Sequence, residues 1–232
     1  MPSSAPFDAA AFEENGCWDA PALLDAVACD AFSAAVGDID GAGARHLIDH
    51  PAVRALLQRQ AVTALMKEVL GAGAFAYKAT LFDKHAEANW LVAWHQDISI
   101  PVQQRLELQG WTGWSRKEHV LYVQAPTEVL AELVALRISL DDCRSDNGPL
   151  RLLVGSHRLG RLKHDGIAHQ PDRYAERVIT GPQGGGLLMR PLTIHASSKT
   201  AVDMRRRVLH LEFANFQLPF GLKWHRQVAL AH

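Results

Sequence analysis

The spacing of apolar and polar positions changes character partway along the chain. From Pro21 to about Leu70 apolar residues recur at helical intervals. Leu23, Leu24, Val27 and Phe32 predict one short helix. Asp49-His50-Pro51 opens a second, with Val53, Leu56, Leu57, Val62, Leu65, Met66 and Val69 on its inner stripe and Gly71 as its stop. Beyond that point the texture is that of strands. Ala74 to Phe82 predicts one, Trp90 to Ile100 another broken by Pro101, and Val134 to Leu140 a third ahead of the turn Asp146-Asn147-Gly148-Pro149. Leu150 to Val154, Gly184 to Met189 and Val208 to Phe213 supply the rest. Helices first and strands after predict an α+β, mainly β chain whose strands close into a sandwich-like barrel. The Trp-rich stretch between Gln109 and Pro126 reads as an irregular loop of the kind that covers or lines a site.

Composition narrows this picture. With 232 residues, 48% of them hydrophobic, the chain suits a single domain over 1–232, its helical part at about 20–70 and its barrel core at about 74–216. A formal net charge of −1 supplies neither the basic footprint of a nucleic-acid binder nor an acidic tail. Cys17, Cys29 and Cys143 are widely spaced and odd in number, which predicts buried thiols in a reducing compartment. The start Met1-Pro2-Ser3-Ser4-Ala5-Pro6 lacks the basic and apolar runs of a signal peptide, and no apolar stretch approaches the ~20 residues of a membrane helix. The expectation is a soluble cytoplasmic protein, and the ending Ala231-His232 carries no peroxisomal address. Nothing in the sequence indicates the oligomeric state.

The candidate chemistry begins at Trp94-His95-Gln96-Asp97. On a strand, side chains at i and i+2 share a face roughly 7 Å apart along the backbone, so His95 and Asp97 can converge on one ion while Gln96 points away. Alone the pattern is weak, because 12 histidines and 15 aspartates give roughly one His-x-Asp triplet by chance. His85-Ala86-Glu87 has the same two ligand types at the same spacing, but its polar neighbours predict a loop and a surface histidine. His195, in Ile194-His195-Ala196-Ser197, adds a third ligand; two imidazoles and one carboxylate on one face of an octahedral metal are the set of non-haem Fe(II) oxygenases. Gly184-Gly185-Gly186 is no phosphate loop, since no Gly-Lys-Ser/Thr follows. In Arg205-Arg206-Arg207, alternation puts Arg206 with Val208, His210 and Glu212 on the polar face, opposite Leu209, Leu211 and Phe213. Arg206 is thereby expected to look into the barrel, where a guanidinium can grip a carboxylate with two parallel hydrogen bonds.

These residues resemble the phytanoyl-CoA dioxygenase family of Fe(II)- and 2-oxoglutarate-dependent oxygenases. The likeness runs from about Asp49 to Phe213. It is carried by Leu81-Phe82-Asp83-Lys84, Asn89-Trp90, Trp94-His95-Gln96-Asp97, Asn147-Gly148-Pro149-Leu150, Gly155-Ser156-His157, His195-x-Ser197 and Arg206. The resemblance implies a double-stranded β-helix, a jelly-roll or cupin-like barrel, with helices packed on its major sheet. It implies His95, Asp97 and His195 as iron ligands, with no catalytic residue beyond the metal centre. Arg206 would bind the distal carboxylate of 2-oxoglutarate, helped by Ser197, with Thr80 and Arg137 lining the same pocket; Arg137 stands where the family often has an aromatic. His157 is expected to be structural.

The implied reaction uses Fe(II), 2-oxoglutarate and O2 to hydroxylate a small-molecule metabolite, releasing succinate and CO2. Asp97 favours hydroxylation or desaturation over halogenation, which the resemblance links to a small residue at that position. Asn89, Trp90, Trp111 and Trp114 are the candidate substrate contacts. Two other readings stand beside this one: a non-catalytic barrel that binds metal and 2-oxoglutarate, and a metal-dependent barrel oxygenase that does not use 2-oxoglutarate. An acyl-CoA substrate would need phosphate-binding residues, for which Arg116, Lys117 and Arg158 are the candidates.

Overall fold

The computed structural model describes residues 6–39 and 41–231. The readings of the first residues and of the last one therefore fall partly outside the described residues. The order along the chain is α1 (Ala9–Asn15), β1 (Cys17–Ala20), α2 (Ala26–Val36), β2 (Gly43–Ala44), α3 (Pro51–Leu57), α4 (Gln60–Leu70), β3 (Phe75–Lys84), β4 (Val92–His95), β5 (Ser99–Val102), β6 (Thr112–Lys117), β7 (Val120–Gln124), α5 (Thr127–Ala131), β8 (Val134–Ser139), β9 (Leu150–Leu153), α6 (His164–Ala168), β10 (Glu176–Ile179), β11 (Gly186–Met189), β12 (His195–Ser197), β13 (Arg206–Ala214) and β14 (Val228–Ala229). Asp8 and Asp25 cap α1 and α2, each side chain accepting an orphan amide of the first turn.

Three expectations change here. The long helix after His50 is two helices, because Arg59 takes an extended conformation and interrupts the stripe. Val27 faces solvent, and Cys29 and Phe32 form the buried side of α2. The stretch between Gln109 and Pro126 is not irregular. It folds as the β6–β7 hairpin, which joins β5 in a three-stranded antiparallel sheet. The run Val120-Leu121-Tyr122-Val123 is β-branched and aromatic enough to build a strand, whereas exposure of most of β6 hides that strand's pattern.

Two further antiparallel sheets face each other. The larger has the order β1-β11-β8-β13-β3-β14, with β2 also on β3; the smaller has the order β10-β9-β12-β4. Together they form a double-stranded β-helix. Leu136, Ile138, Leu209, Leu211, Ala79 and Leu81 on the outer face of the larger sheet pack against Val53, Leu57, Val62 and Met66 of α3 and α4, and this helix-on-sheet layer is the main core. No helix among the described residues is long and apolar enough to cross a membrane.

The inner face of the larger sheet carries the chemistry, and its register sets the positions. Lys84 pairs with Arg206, Phe82 with Val208 and Ser139, Thr80 with His210 and Arg137, and Lys78 with Glu212 and Ala135. These rows are successive rungs, each about 7 Å from the next. Between Glu212 and Phe213 the register slips and Tyr77 is the extra residue on β3, a bulge.

Candidate metal and anion site

His95 ends β4 and His195 begins β12, and the two are direct partners across the antiparallel ladder. Their rings therefore lie 4.2 Å apart between centroids. Asp97 follows beyond the end of the strand, held by its amide donating to the Pro191 carbonyl at 2.9 Å. Gln96 turns away as expected: its amide nitrogen donates to the Gly160 and Leu192 carbonyls, and its oxygen accepts from the Leu162 amide. That side chain ties the ligand-bearing turn to the loop behind it.

Each imidazole is oriented by the backbone. Nδ1 of His95 is 2.8 Å from the Ala93 carbonyl, and Nδ1 of His195 is 2.8 Å from the Thr193 carbonyl. A carbonyl only accepts, so the proton sits on Nδ1 and the Nε2 lone pair is aimed at Asp97. The Nε2 atoms stand 3.8 Å (His95) and 3.5 Å (His195) from the Asp97 carboxylate oxygens, and one donor atom from each of the three residues falls within 4.8 Å of the others. Metal–ligand distances of about 2.0–2.2 Å would need these donors to draw slightly closer together around one ion, which the three residues could then hold. Burial, and then the neighbouring His95, push the pKa of His195 down to about 3. Burial works against ionising Asp97, but His195, His95, His210 and Lys78 hold its carboxyl well below the usual carboxylate range. Neutral imidazoles beside a carboxylate are the protonation states a divalent metal requires.

Deeper in the barrel, three cations gather. Arg206 is buried at the start of β13, its Nε donating to the Asn147 carbonyl at 3.2 Å. Its neighbours show how alternation works: Arg205 pairs with Asp83 and Arg207 with Asp141, while Arg206 points inward. Lys84, fully buried, donates to Ser197 Oγ at 2.7 Å and to the Ser198 carbonyl at 2.5 Å, with the Trp90 ring 5.0 Å from its ammonium. Arg137 donates to His210 and lies over Phe82. None of these three cations has a carboxylate in salt-bridge range among the described residues. Burial, then Arg206 and Arg137, push Lys84 down to about 8; burial, then Arg206, lowers Arg137 to about 10. Uncompensated buried cations of this kind could receive an anion. Arg137 and Arg206 also wall a cavity of about 240 Å³ with Cys143, Leu150 and Leu187.

The remaining sequence candidates scatter. Thr80 is buried opposite His210. Asn89 binds both the amide and the carbonyl of Thr200, a loop tie. Trp111 is buried in the core under the hairpin; it also borders a cavity of about 950 Å³ that reaches His95 but not Asp97 or His195. Trp114 is half-buried beneath Arg105. His157 binds the Glu13 carbonyl, and His85 sits in a short bridge with Ala88. Cys17, Cys29 and Cys143 are free and buried.

Lys84, Lys78 and Tyr77 were absent from the sequence candidates. Glu212 accepts from Tyr77 Oη at 2.7 Å and Lys78 Nζ at 2.5 Å, and His210 Nε2 is 3.4 Å from the same carboxylate. Burial would raise Glu212, but Lys78 and His210 hold it low.

A jelly-roll barrel of this kind is also the fold of solved non-heme alpha ketoglutarate-dependent proteins. The phytanoyl-CoA dioxygenase (PhyH) family model matches residues 12–208, and the chain belongs to that family. An L-proline trans-4-hydroxylase from Streptomyces griseoviridis is 26% identical over 186 residues, 68% of this chain and 61% of that protein, so the match spans less than two thirds of the relative's length. Among solved structures, EctD from S. alaskensis in its apoform superposes with a TM-score of 0.69 at 15% identity, covering 100% of this chain and 89% of its own. The epimerase SnoN in complex with Fe3+, alpha ketoglutarate and nogalamycin RO gives a TM-score of 0.65 at 16% identity, with 97% and 94% covered. These structural likenesses establish the fold.

Proposed function

We propose that the protein is an Fe(II)- and 2-oxoglutarate-dependent oxygenase that hydroxylates a small-molecule metabolite. The observation that carries this is the convergence of His95 Nε2, His195 Nε2 and an Asp97 oxygen beside three buried cations that lack carboxylate partners. His95, Asp97 and His195 would hold the iron. Arg206, with Lys84 and Ser197 beside it, would hold the distal carboxylate of 2-oxoglutarate, and Arg137 and Thr80 would line its path. Bound iron supplies O2 chemistry in which 2-oxoglutarate becomes succinate and CO2, one oxygen atom going to succinate and the other to the substrate C–H.

This chain's own residues prepare that chemistry. The two backbone carbonyls keep both imidazoles in the ligating tautomer. The Gln96 amide fixes the turn carrying Asp97, and Lys84 orients the Ser197 hydroxyl. The Streptomyces relative is an L-proline trans-4-hydroxylase, which supports a free small molecule as the substrate class. Anaerobic titration with Fe(II) and 2-oxoglutarate is the test. A metal-to-ligand charge-transfer band in the native protein and succinate release on admitting air are expected. Arg206→Ala should weaken cosubstrate binding by about 1.5–3 kcal/mol, the worth of hydrogen bonds to a charged group. Unchanged affinity in that variant would remove the 2-oxoglutarate assignment.

A further inference from the structure

The rungs of the inner face run past the metal site in both directions. Arg206 and Lys84 form one end rung, and His210, whose Nε2 is 3.8 Å from Asp97, marks the level of the metal. Lys78 and Glu212 form the next rung on the side away from Arg206. If the cosubstrate fills the space between Arg206 and the metal, Lys78 faces what lies on the other side. The pair is unequal in what it leaves over. Glu212 is 3% exposed and accepts from Tyr77 and Lys78, with His210 3.4 Å from the same carboxylate. Lys78 is 19% exposed, and Glu212 is its one hydrogen-bond partner among the described residues. An ammonium has three donors. The other two have no hydrogen-bond partner among the described residues.

Further cations stand around Lys78, beside the Glu212 and Asp97 carboxylates. Lys78 and Lys117 both lie against the Tyr122 ring, at 6.0 and 4.9 Å from its centroid. Burial, then the like charges of Lys78 and Arg45, lower the pKa of Lys117, so the three cations share one neighbourhood. Glu118, the acid at this rim, is turned to His46 at 3.6 Å. A buried ion pair is costly to build into a barrel, and a partly exposed ammonium with unused donors is suited to receiving an anion.

Building on the oxygenase reading, we propose that the substrate is a small carboxylic acid whose carboxylate is received by Lys78, with Lys117 and Arg45 drawing it to the mouth. Lys78 is then a specificity-determining residue. One rung separates it from the level of the metal, so the C–H group that reacts lies only a few bonds from that carboxylate.

The test uses the full-length protein loaded anaerobically with Fe(II) and 2-oxoglutarate. It is challenged with a panel of free L-amino acids and short 2-hydroxy acids, each beside its own carboxamide. Perturbation of the charge-transfer band and the rate of succinate release after air is admitted are read together. At least one acid should shift the band and raise succinate release tenfold or more over its amide. Lys78→Met should abolish that discrimination, Lys78→Arg should restore part of it, and Lys117→Ala should weaken it severalfold. The double variant Lys78→Met, Glu212→Gln removes both charges together and keeps the test readable if the single variant does not fold. Absence of the band in the unmodified protein overturns the oxygenase reading itself. A normal band with no response to any acid, equal responses to acids and amides, acids that only bleach the band by displacing 2-oxoglutarate, or discrimination that survives the loss of Lys78 overturns the substrate inference alone.

Discussion

Arg137 and His210 face each other across β8 and β13, with the guanidinium donating to Nδ1 of the imidazole at 3.1 Å. Because Arg137 only donates, the His210 proton is kept on Nε2, toward Glu212 and the edge of Asp97. Replacing Arg137 with Leu removes a cation from the proposed cosubstrate pocket and frees the ring. The expected outcome is a weakening of 2-oxoglutarate binding by roughly tenfold, about 1.5 kcal/mol, with an altered charge-transfer band, both read by anaerobic titration. Unchanged affinity would place Arg137 outside the pocket's function.

Lys84 gives the cosubstrate site a pH dependence whose sign follows from its depressed pKa. Its folded value of about 8 lies below the ordinary 10.5, so between these values the unfolded chain holds a proton that the folded protein has lost. Stability of the cosubstrate-free protein therefore gains a contribution as pH rises through that window. Binding of 2-oxoglutarate moves the other way, because the ammonium that greets it is being neutralised. Its dissociation constant should rise severalfold from pH 7 to 9 in the native protein. In Lys84→Met it should start higher and rise less, and parallel slopes in the two proteins would assign the effect elsewhere.

Gly148 has a positive φ of 74°, and a Cβ there would stand 2.7 Å from the Ser198 carbonyl oxygen and 2.8 Å from Cδ of Lys84. Backbone on one side and a pinned lysine on the other leave no cheap accommodation. Gly148→Ala should displace Lys84 and lose cosubstrate affinity at temperatures where circular dichroism still reports a folded protein. Loss of fold in step with loss of binding would contradict this.

Leu211 is fully buried between the larger sheet and its helices. Leu211→Ala should cost about 2–5 kcal/mol, seen as a lower urea midpoint, while cosubstrate affinity measured well below the transition stays near native. Its side chain is on the opposite face of β13 from His210, so coupling of the two losses would mean that the layers are less independent than the register implies.

Much of the barrel was written in local patterns. Alternation along Arg206 to Phe213 was enough to sort the inward from the outward side chains of β13, including the turn of Arg206 away from its two paired neighbours. The His95, Asp97 and His195 convergence followed the spacing, although Asp97 lies past the strand end rather than within it. Trp111 was read as a substrate contact in an irregular stretch, and its burial among Ile100, Val102 and Val123 follows from the three-stranded sheet that the sequence did not reveal. Lys78 and Tyr77 stayed hidden for a different reason. Strict alternation sends neighbours to opposite faces, and the Phe75 to Lys84 run gives no local sign of its bulge.

That extra residue at Tyr77 changes the parity of the strand. On the Lys78 to Lys84 side, even-numbered residues look into the barrel and Ala79 and Leu81 meet the helices. On the other side, Phe75 and Tyr77 join the core around Trp224, and Ala76 meets the helices. One continuous strand thus works as two segments half a repeat out of phase, with the phase boundary at the rung occupied by Lys78 and Glu212. Shortening β3 by one residue there would shift the phase of everything on one side of the boundary. The proposed cosubstrate end of the pocket and the proposed substrate end are thus separate units of geometry carried on a single piece of backbone.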